Sequence, residues 1–373
     1  MPTRRTFLKK ALATVAALSL FPLNRCDTEQ HPNILFIAVD DLKPVLGCYG
    51  DNSTYSPHID QLAQKGTVFF NNHCQQAVCG PSRASLLTGL YPDENKTWGF
   101  TRIRTARPDV VTLPQYFKQN GYTTVNISKI FDYRTVDEYW DRPSWTRAFP
   151  LSEEALNPYY ADSTGPVCGY FYQSPLVKDV FAQIENETRL SGHTLIRKAH
   201  KRIKPATECL DVPDHAYKDG VFADKAVMEL QELSKSHTPF FLAVGFERPH
   251  LPFTAPQKYW DLYNRNDIQI AEYQRMAEHD KPYFYTKSPE LQSYTAENGE
   301  RIYDKLSDGE RLSVAEQVRL IHGYKAAVSY IDAQIGKILK KLHELELHEN
   351  TVIVLWGDRS EEHTSELQSL LII

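Results

Sequence analysis

The sequence predicts an α/β fold in which a central, largely parallel sheet is flanked by helices. Three observations lead there. Short continuous apolar runs, such as Asn33-Ile34-Leu35-Phe36-Ile37-Ala38-Val39 and Phe240 to Phe246, have the character of parallel strands buried on both faces. Stretches at helical spacing alternate with them, as βαβ units require. The 373 residues suffice for a large core, in one big domain or two small ones, and 42% apolar with 24% charged residues is ordinary for a globular chain.

In chain order, the N-terminus reads as an address. Thr3-Arg4-Arg5-Thr6-Phe7-Leu8-Lys9 precedes the apolar run Ala11 to Leu23, which is too short to span a membrane as a stable helix. Residues 1–27 resemble a twin-arginine export signal, which implies a periplasmic or extracellular protein. Cys26 sits in an L-x-x-C context that would allow a lipid anchor, the one route to a membrane, although Arg25 stands where a small residue is usual.

The first strand, Asn33 to Val39, ends in Asp40-Asp41. Adjacent carboxylates at the exit of a buried strand repel unless a cation neutralises them; oxygen ligands suit Ca²⁺, with Mg²⁺ as the alternative, and a solvated Asx turn is the other reading. Ser56-Pro57 opens a helix through Ile59, Leu62 and Ala63 to Gly66, and Thr67 to Phe70 reads as a strand. Cys79-Gly80-Pro81-Ser82-Arg83-Ala84-Ser85-Leu86-Leu87-Thr88-Gly89 reads as a loop feeding a short helix. Cys79 then lies at a helix N-terminus, where free N–H groups favour a thiolate or a bound oxyanion; a buried structural cysteine is the plainer alternative. A helix over Leu113 to Gln119, stopped by Asn120-Gly121, leads to the strand Thr123 to Ile127, with Lys129 just beyond.

Residues 132–215, rich in Tyr, Trp, Pro and charge, read as loops and small elements on one edge. An amphipathic helix follows over Val221 to Leu233, and the strand ending at Phe246 exits into Glu247-Arg248-Pro249-His250-Leu251-Pro252. Ser313-Val314-Ala315-Glu316 is a capping box that starts one long helix to about Leu345, on which His322 reads as packed rather than as a ligand. The strand Thr351 to Trp356 ends in Gly357-Asp358. Ligands of parallel sheets bind outside the carboxyl ends of the strands, and Asp40, Asp41, Lys129, His250 and Asp358 all fall there. A net charge of -5 gives no basic footprint for nucleic acid. Of the six cysteines, Cys168 and Cys209 could bridge in an oxidising compartment or remain free thiols.

The string from Cys79 to Gly89 resembles the signature C-x-P-S-R-x-x-x-L-T-G of the type I, formylglycine-dependent sulfatases at every specified position, and the resemblance runs from about Pro32 to Asp358. Asp40-Asp41, Gly47-Cys48-Tyr49-Gly50, Ser56-Pro57-His58-Ile59-Asp60, Arg248 to Phe253 and Val328-Ser329-Tyr330-Ile331-Asp332 are most similar to the iduronate-2-sulfatase branch. The resemblance implies an alkaline-phosphatase-like sandwich, a catalytic domain over 31–358 and a loop-rich insertion at about 132–215. It implies that a formylglycine-generating or anaerobic sulfatase-maturating enzyme oxidises Cys79 to formylglycine, whose hydrate attacks the sulfur of a sulfate ester, the substrate being a sulfated glycan or another such ester. Asp40, Asp41, Asp358 and the modified Cys79 would hold Ca²⁺, and Arg83 would orient the formylglycine hydroxyl. Lys129 and His250 would bind sulfate oxygens, one of them protonating the leaving alcohol, with Arg248 and Asp132 beside the substrate.

Two departures bear on that expectation. The branch shows K-x-F-H where this chain has Lys129-Ile130-Phe131-Asp132, and a carboxylate there should repel an anionic sugar, which favours another sulfated glycan over iduronate. Arg359 stands where the family has a His or Asn ligand, and a guanidinium cannot coordinate a cation. Arg359 to Ser369 resembles the translation of a sequencing-library adapter, which implies that residues 359–373 are an artefactual tail, that the C-terminal subdomain is missing and that the chain as it stands is a fragment, inactive or poorly folded. The competing readings are a phosphodiesterase or phosphonate hydrolase of the same superfamily and a non-catalytic glycan-binding relative.

Overall fold

Alternation inside the apolar runs creates three layers. In the computed structural model, which describes residues 31–137, 140–149, 172–272, 274, 289–304, 311–359 and 370–372, the strands are β1 (Asn33–Val39), β2 (Thr67–Val68), β3 (Thr123–Ile127), β4 (Arg147–Phe149), β5 (Thr207–Leu210), β6 (Phe240–Phe246), β7 (Phe253–Pro256), β8 (Thr351–Gly357) and β9 (Leu370–Ile372). The main sheet has the order β2-β9-β8-β1-β6-β3-β4, and the pairs β8-β1, β1-β6, β6-β3 and β3-β4 are parallel. Among the described strands only β9 runs antiparallel to its neighbours β8 and β2; β5 and β7 form a separate parallel pair.

Seven longer helices complete the frame: α1 (Pro57–Gln64), α2 (Cys79–Thr88), α3 (Leu113–Gln119), α4 (Pro175–Thr188), α5 (Gly192–Ala199), α6 (Lys218–Leu233) and α7 (Val314–Glu344). Leu35, Ile37 and Val39 of β1, with Leu242 and Val244 of β6, face a core that contains Val221 and Leu230 of α6 and Ile331 and Ile335 of α7. Their intervening neighbours, Phe36, Ala38, Phe241 and Ala243, face Ala84 and Leu87 of α2, Trp145 and Trp356. Each such Val, Leu, Ile or Phe side chain, buried, contributes about 1.5–3 kcal/mol relative to exposure. The switch of neighbours at β1 puts the ends of β8, β1, β6 and β3 around one crevice.

The long helix α7 starts with one half of the expected capping box, Ser313 Oγ accepting from Glu316 N at 3.2 Å, while the Glu316 carboxylate accepts from the Tyr303 hydroxyl. His322 on it is buried, with Nε2 2.8 Å from the Trp260 carbonyl. Several expectations are corrected. The strand read as Thr67 to Phe70 is only two residues long, and Phe69 and Phe70 are exposed. Ser56 does not cap α1 with its side chain; the N–H groups of His58 and Ile59 donate instead to the Asp332 carboxylate on α7, at 3.0 and 2.8 Å. The stretch 132–215 is more regular than its composition suggests. Val177, Phe181 and Ile184 recur at helical spacing on α4 and pack with Leu195, Ala199 and Ile203 in a small core of their own, while β4 joins the main sheet. The export signal with Cys26 lies outside the described residues, as does Cys168; Cys209 is an exposed free thiol.

Candidate active site

Four strand ends and one helix meet at the crevice. Asp40 leaves β1 with its N–H on the Phe246 carbonyl (3.0 Å), and Asp41 turns sharply with φ 59°. That turn lets Asp41 N donate to Asp358 Oδ1 at 3.1 Å, while Asp358 N donates back to the Val39 carbonyl at 3.2 Å. Neighbouring parallel strands thus exchange partners where their carboxylates emerge. Asp40, Asp41 and Asp358 each offer one ligand oxygen within 4.8 Å of the others.

Helix α2 lies beneath. Its sequence holds almost no exposed residue, because Cys79 to Ser85 is buried throughout and Gly89 closes it at φ 67°. Arg83, fully buried, donates Nε to Asp358 Oδ2 at 2.6 Å and one terminal nitrogen to the Lys129 and Ile130 carbonyls; its other terminal nitrogen lies 3.8 Å from Asp40 Oδ1. Lys129, just after β3, donates Nζ to Asp40 Oδ2. Burial alone would raise Asp40, but Lys129, His250 and Arg83 hold it well below the ordinary carboxylate range. Asp358 goes the other way, to about 7, because burial and the nearby Asp40 and Asp41 outweigh Arg83.

Three carboxylates this close cannot all ionise unless a cation sits among them. Asp40 Oδ1 is buried with no hydrogen-bond partner, and the donor set is oxygen only. Those features fit a hard divalent cation. Arg359 partly supplants one: its Nε lies 2.8 Å from Asp41 Oδ1 and it donates a terminal nitrogen to Oδ2 at 3.1 Å.

His250 closes the opposite side. Nδ1 lies 2.7 Å from the Leu251 carbonyl, and Nε2 lies 3.1 Å from Glu290 Oε1 and 3.7 Å from Asp41 Oδ2. Burial works against the imidazolium, but Asp41, Asp40 and Glu290 raise its pKa to about 9. Arg248 does not enter this cluster; its buried guanidinium donates to the His250 and Pro252 carbonyls, so it holds the loop that carries His250.

Cys79 is not the thiolate that a helix N-terminus favours. Its Sγ donates to Asp132 Oδ2 at 3.1 Å, and burial pushes the thiol up to about 12 even though Lys129 opposes it. Asp132 is occupied on its other side: Arg134 forks onto it through Nε and a terminal nitrogen, both 2.8 Å, and that nitrogen comes within 3.4 Å of Cys79 Sγ. The repulsion expected of Asp132 towards an anion is therefore cancelled locally. Arg134, partly exposed and 3.4 Å over the Phe100 ring, instead presents positive charge beside Cys79. Sequence reading missed Arg134 and Glu290. The i, i+2 spacing of Asp132 and Arg134 on a tight loop could have suggested the first, whereas nothing in sequence ties Glu290 to His250.

Residues 32–369 match the sequence model of a family described as Sulfatase. The chain is 33% identical to iduronate 2-sulfatase of Homo sapiens over 327 residues, which cover 87% of this chain and 54% of that protein. It is 31% identical over 338 residues to a sulfatase of Formosa agariphila, covering 88% and 58%. The chain thus spans little more than half the length of these curated relatives. Among solved structures, the phosphonate monoester hydrolase of Agrobacterium radiobacter matches with a TM-score of 0.62 at 18% identity, over 92% of this chain and 68% of that one. A protein solved with its substrate D-glucosamine-2-N,6-O-disulfate matches at 0.57 and 19% identity, over 92% and 71%. These likenesses show a shared alkaline-phosphatase-like fold.

Proposed function

Because the chain belongs to the sulfatase family, we propose that it derives from an enzyme hydrolysing sulfate esters of sulfated glycans. The observation that carries the reading is the convergence of Asp40, Asp41 and Asp358 with Arg83, Lys129, His250 and Cys79 in one crevice. Asp40, Asp41 and Asp358 would hold Ca²⁺, which when bound would neutralise charge on a sulfate ester. Cys79, protonated and buried as it stands, suits conversion to formylglycine by a maturating enzyme better than direct attack as a thiolate.

The chain's own residues have definite tasks. Lys129 and Arg134 both bring positive charge to Cys79, which favours an anionic ester there. His250 carries a proton on Nε2 and can pass it to the departing alcohol, since Glu290 and Asp41 keep the imidazolium stable. Arg83 fixes Asp358 and the loop carbonyls after Lys129, which sets the positions of both. Export through the N-terminal signal would follow maturation in the cytoplasm.

The named relatives, iduronate 2-sulfatase and the protein solved with a disulfated glucosamine, support a sulfated sugar as substrate. A phosphonate hydrolase is the second reading, favoured by the structural likeness to the Agrobacterium enzyme. Side-by-side turnover of p-nitrophenyl sulfate and p-nitrophenyl phosphonate esters, with the mass of the Cys79 peptide, tests the choice. We expect sulfate turnover that tracks thiol-to-aldehyde conversion. Phosphonate turnover in excess of sulfate would reverse it.

A further inference from the structure

A second cavity, of about 650 Å³, lies between α5 and residues 293–301. Arg197, Lys201, Lys204 and Arg301 line it together with the hydroxyls of Thr194 and Ser293, and among the described residues no acidic side chain lines it. In a chain of net charge -5, such a concentration of one sign is a local departure. His200 also lines it, but burial drops its pKa to about 4 and it is neutral.

The charges are poorly compensated. Lys204, partly buried, rests its ammonium on Ser293 Oγ at 2.8 Å and over the Tyr294 ring at 3.7 Å, with no carboxylate within ion-pair distance among the described residues. Burial lowers its pKa, which Glu290, beyond ion-pair distance, offsets only in part. Arg197 and Lys201 are exposed and make no ion pair with a described residue. Arg301 reaches Asp304 at 3.4 Å and donates to the Lys201 carbonyl at 3.0 Å, which keeps its guanidinium at the rim. Of the acids on the neighbouring segment, Glu290 pairs with His250 and Glu297 with Arg319, while Glu300 is exposed beside Arg301 in the chain.

The position relative to the crevice matters most. Ser293 N donates to the Glu290 carbonyl at 2.9 Å, so one chain turn separates the cavity wall from the carboxylate that holds His250. We propose that this cavity is an anion subsite for a sulfate group farther along the same glycan chain, so that the preferred ligand is a polysulfated oligosaccharide rather than a monosaccharide ester. The proposal rests on the sulfatase reading given above. Arg197 and Lys201 attract the chain, Thr194 and Ser293 can donate to a sulfate oxygen, and Lys204 gains an anion within direct reach.

The test compares calorimetric binding of a heparin-derived octasaccharide, a heparin disaccharide and a poly-glutamate peptide to the wild type, to Arg197→Glu/Lys201→Glu and to Lys204→Gln, alongside p-nitrophenyl sulfate turnover. The double variant changes two exposed residues, so it keeps the fold even where Lys204→Gln, at a half-buried position, does not. The octasaccharide should bind the double variant at least about tenfold more weakly, and the loss should shrink with added salt. Turnover of p-nitrophenyl sulfate should be unchanged by it. Octasaccharide affinity equal in wild type and double variant overturns the proposal, as does poly-glutamate binding as tightly as the octasaccharide, which would assign the cavity to an acidic protein segment. Absent turnover in the wild type with intact cavity-dependent binding would instead count against the catalytic reading alone.

Discussion

Arg359 shows how one residue sets the state of a site. Its guanidinium lies against both oxygens of Asp41, the carboxylate that would otherwise face a metal ion with Asp40 and Asp358. A neutral oxygen donor at that position would remove a competing cation and add a ligand. Arg359→Asn should therefore bind Ca²⁺ more tightly than the wild type. In saturating Ca²⁺ the variant should gain the equivalent of about 3–4 kcal/mol in thermal stability, the linkage expected when ligand exceeds its dissociation constant by roughly 100- to 1,000-fold. Equal Ca²⁺-induced melting shifts in both proteins would refute the competition. Arg83 is different in kind: it is wholly buried, and its partners are a carboxylate and two carbonyls, so its removal would leave Asp358 without its counter-charge.

Helix α1 is held by a neighbour rather than by its own sequence. Asp332 of α7 accepts from the first free N–H groups of α1, yet burial raises its pKa from 3.8 to about 7 against those bonds. A carboxyl whose folded pKa is raised stabilises the fold fully below its unfolded value. That contribution is lost as pH rises through about 7. Asp332→Asn keeps an acceptor for the same N–H groups but cannot titrate. Between pH 4 and 7 the wild type should lose roughly 2–4 kcal/mol relative to the variant, measured by denaturant unfolding at each pH. A difference that stays constant with pH would show that Asp332 titrates normally. The docking of α1 on α7 is close throughout, since a Cβ at Gly336 would strike the His58 ring.

Across the whole molecule, the crevice depends on how tightly β6 and the loop after β3 approach. Gly245, opposite Ala38 in the sheet, leaves room for the backbone of Lys129, and a Cβ there would collide with the Lys129 carbonyl. Gly245→Ala should push Lys129 away from Asp40, cost about 1–3 kcal/mol of stability and lower sulfate ester turnover more than it raises KM. Unaltered kinetics at reduced stability would place the strain elsewhere. The sheet and the strand ends were legible in the chain itself, because buried parallel strands leave continuous apolar runs and their ends are marked by Asp40-Asp41, Lys129, His250 and Asp358. Local signals also fixed the start of α7 and the N-terminal place of Cys79 on α2. What the chain alone could not reveal are contacts between residues far apart in sequence: Asp332 of α7 on the first turn of α1, and Glu290 on His250. Periodicity and capping act over a few residues and leave a pattern there, whereas the charge state of a buried carboxyl is decided by whichever distant cation the packing brings beside it.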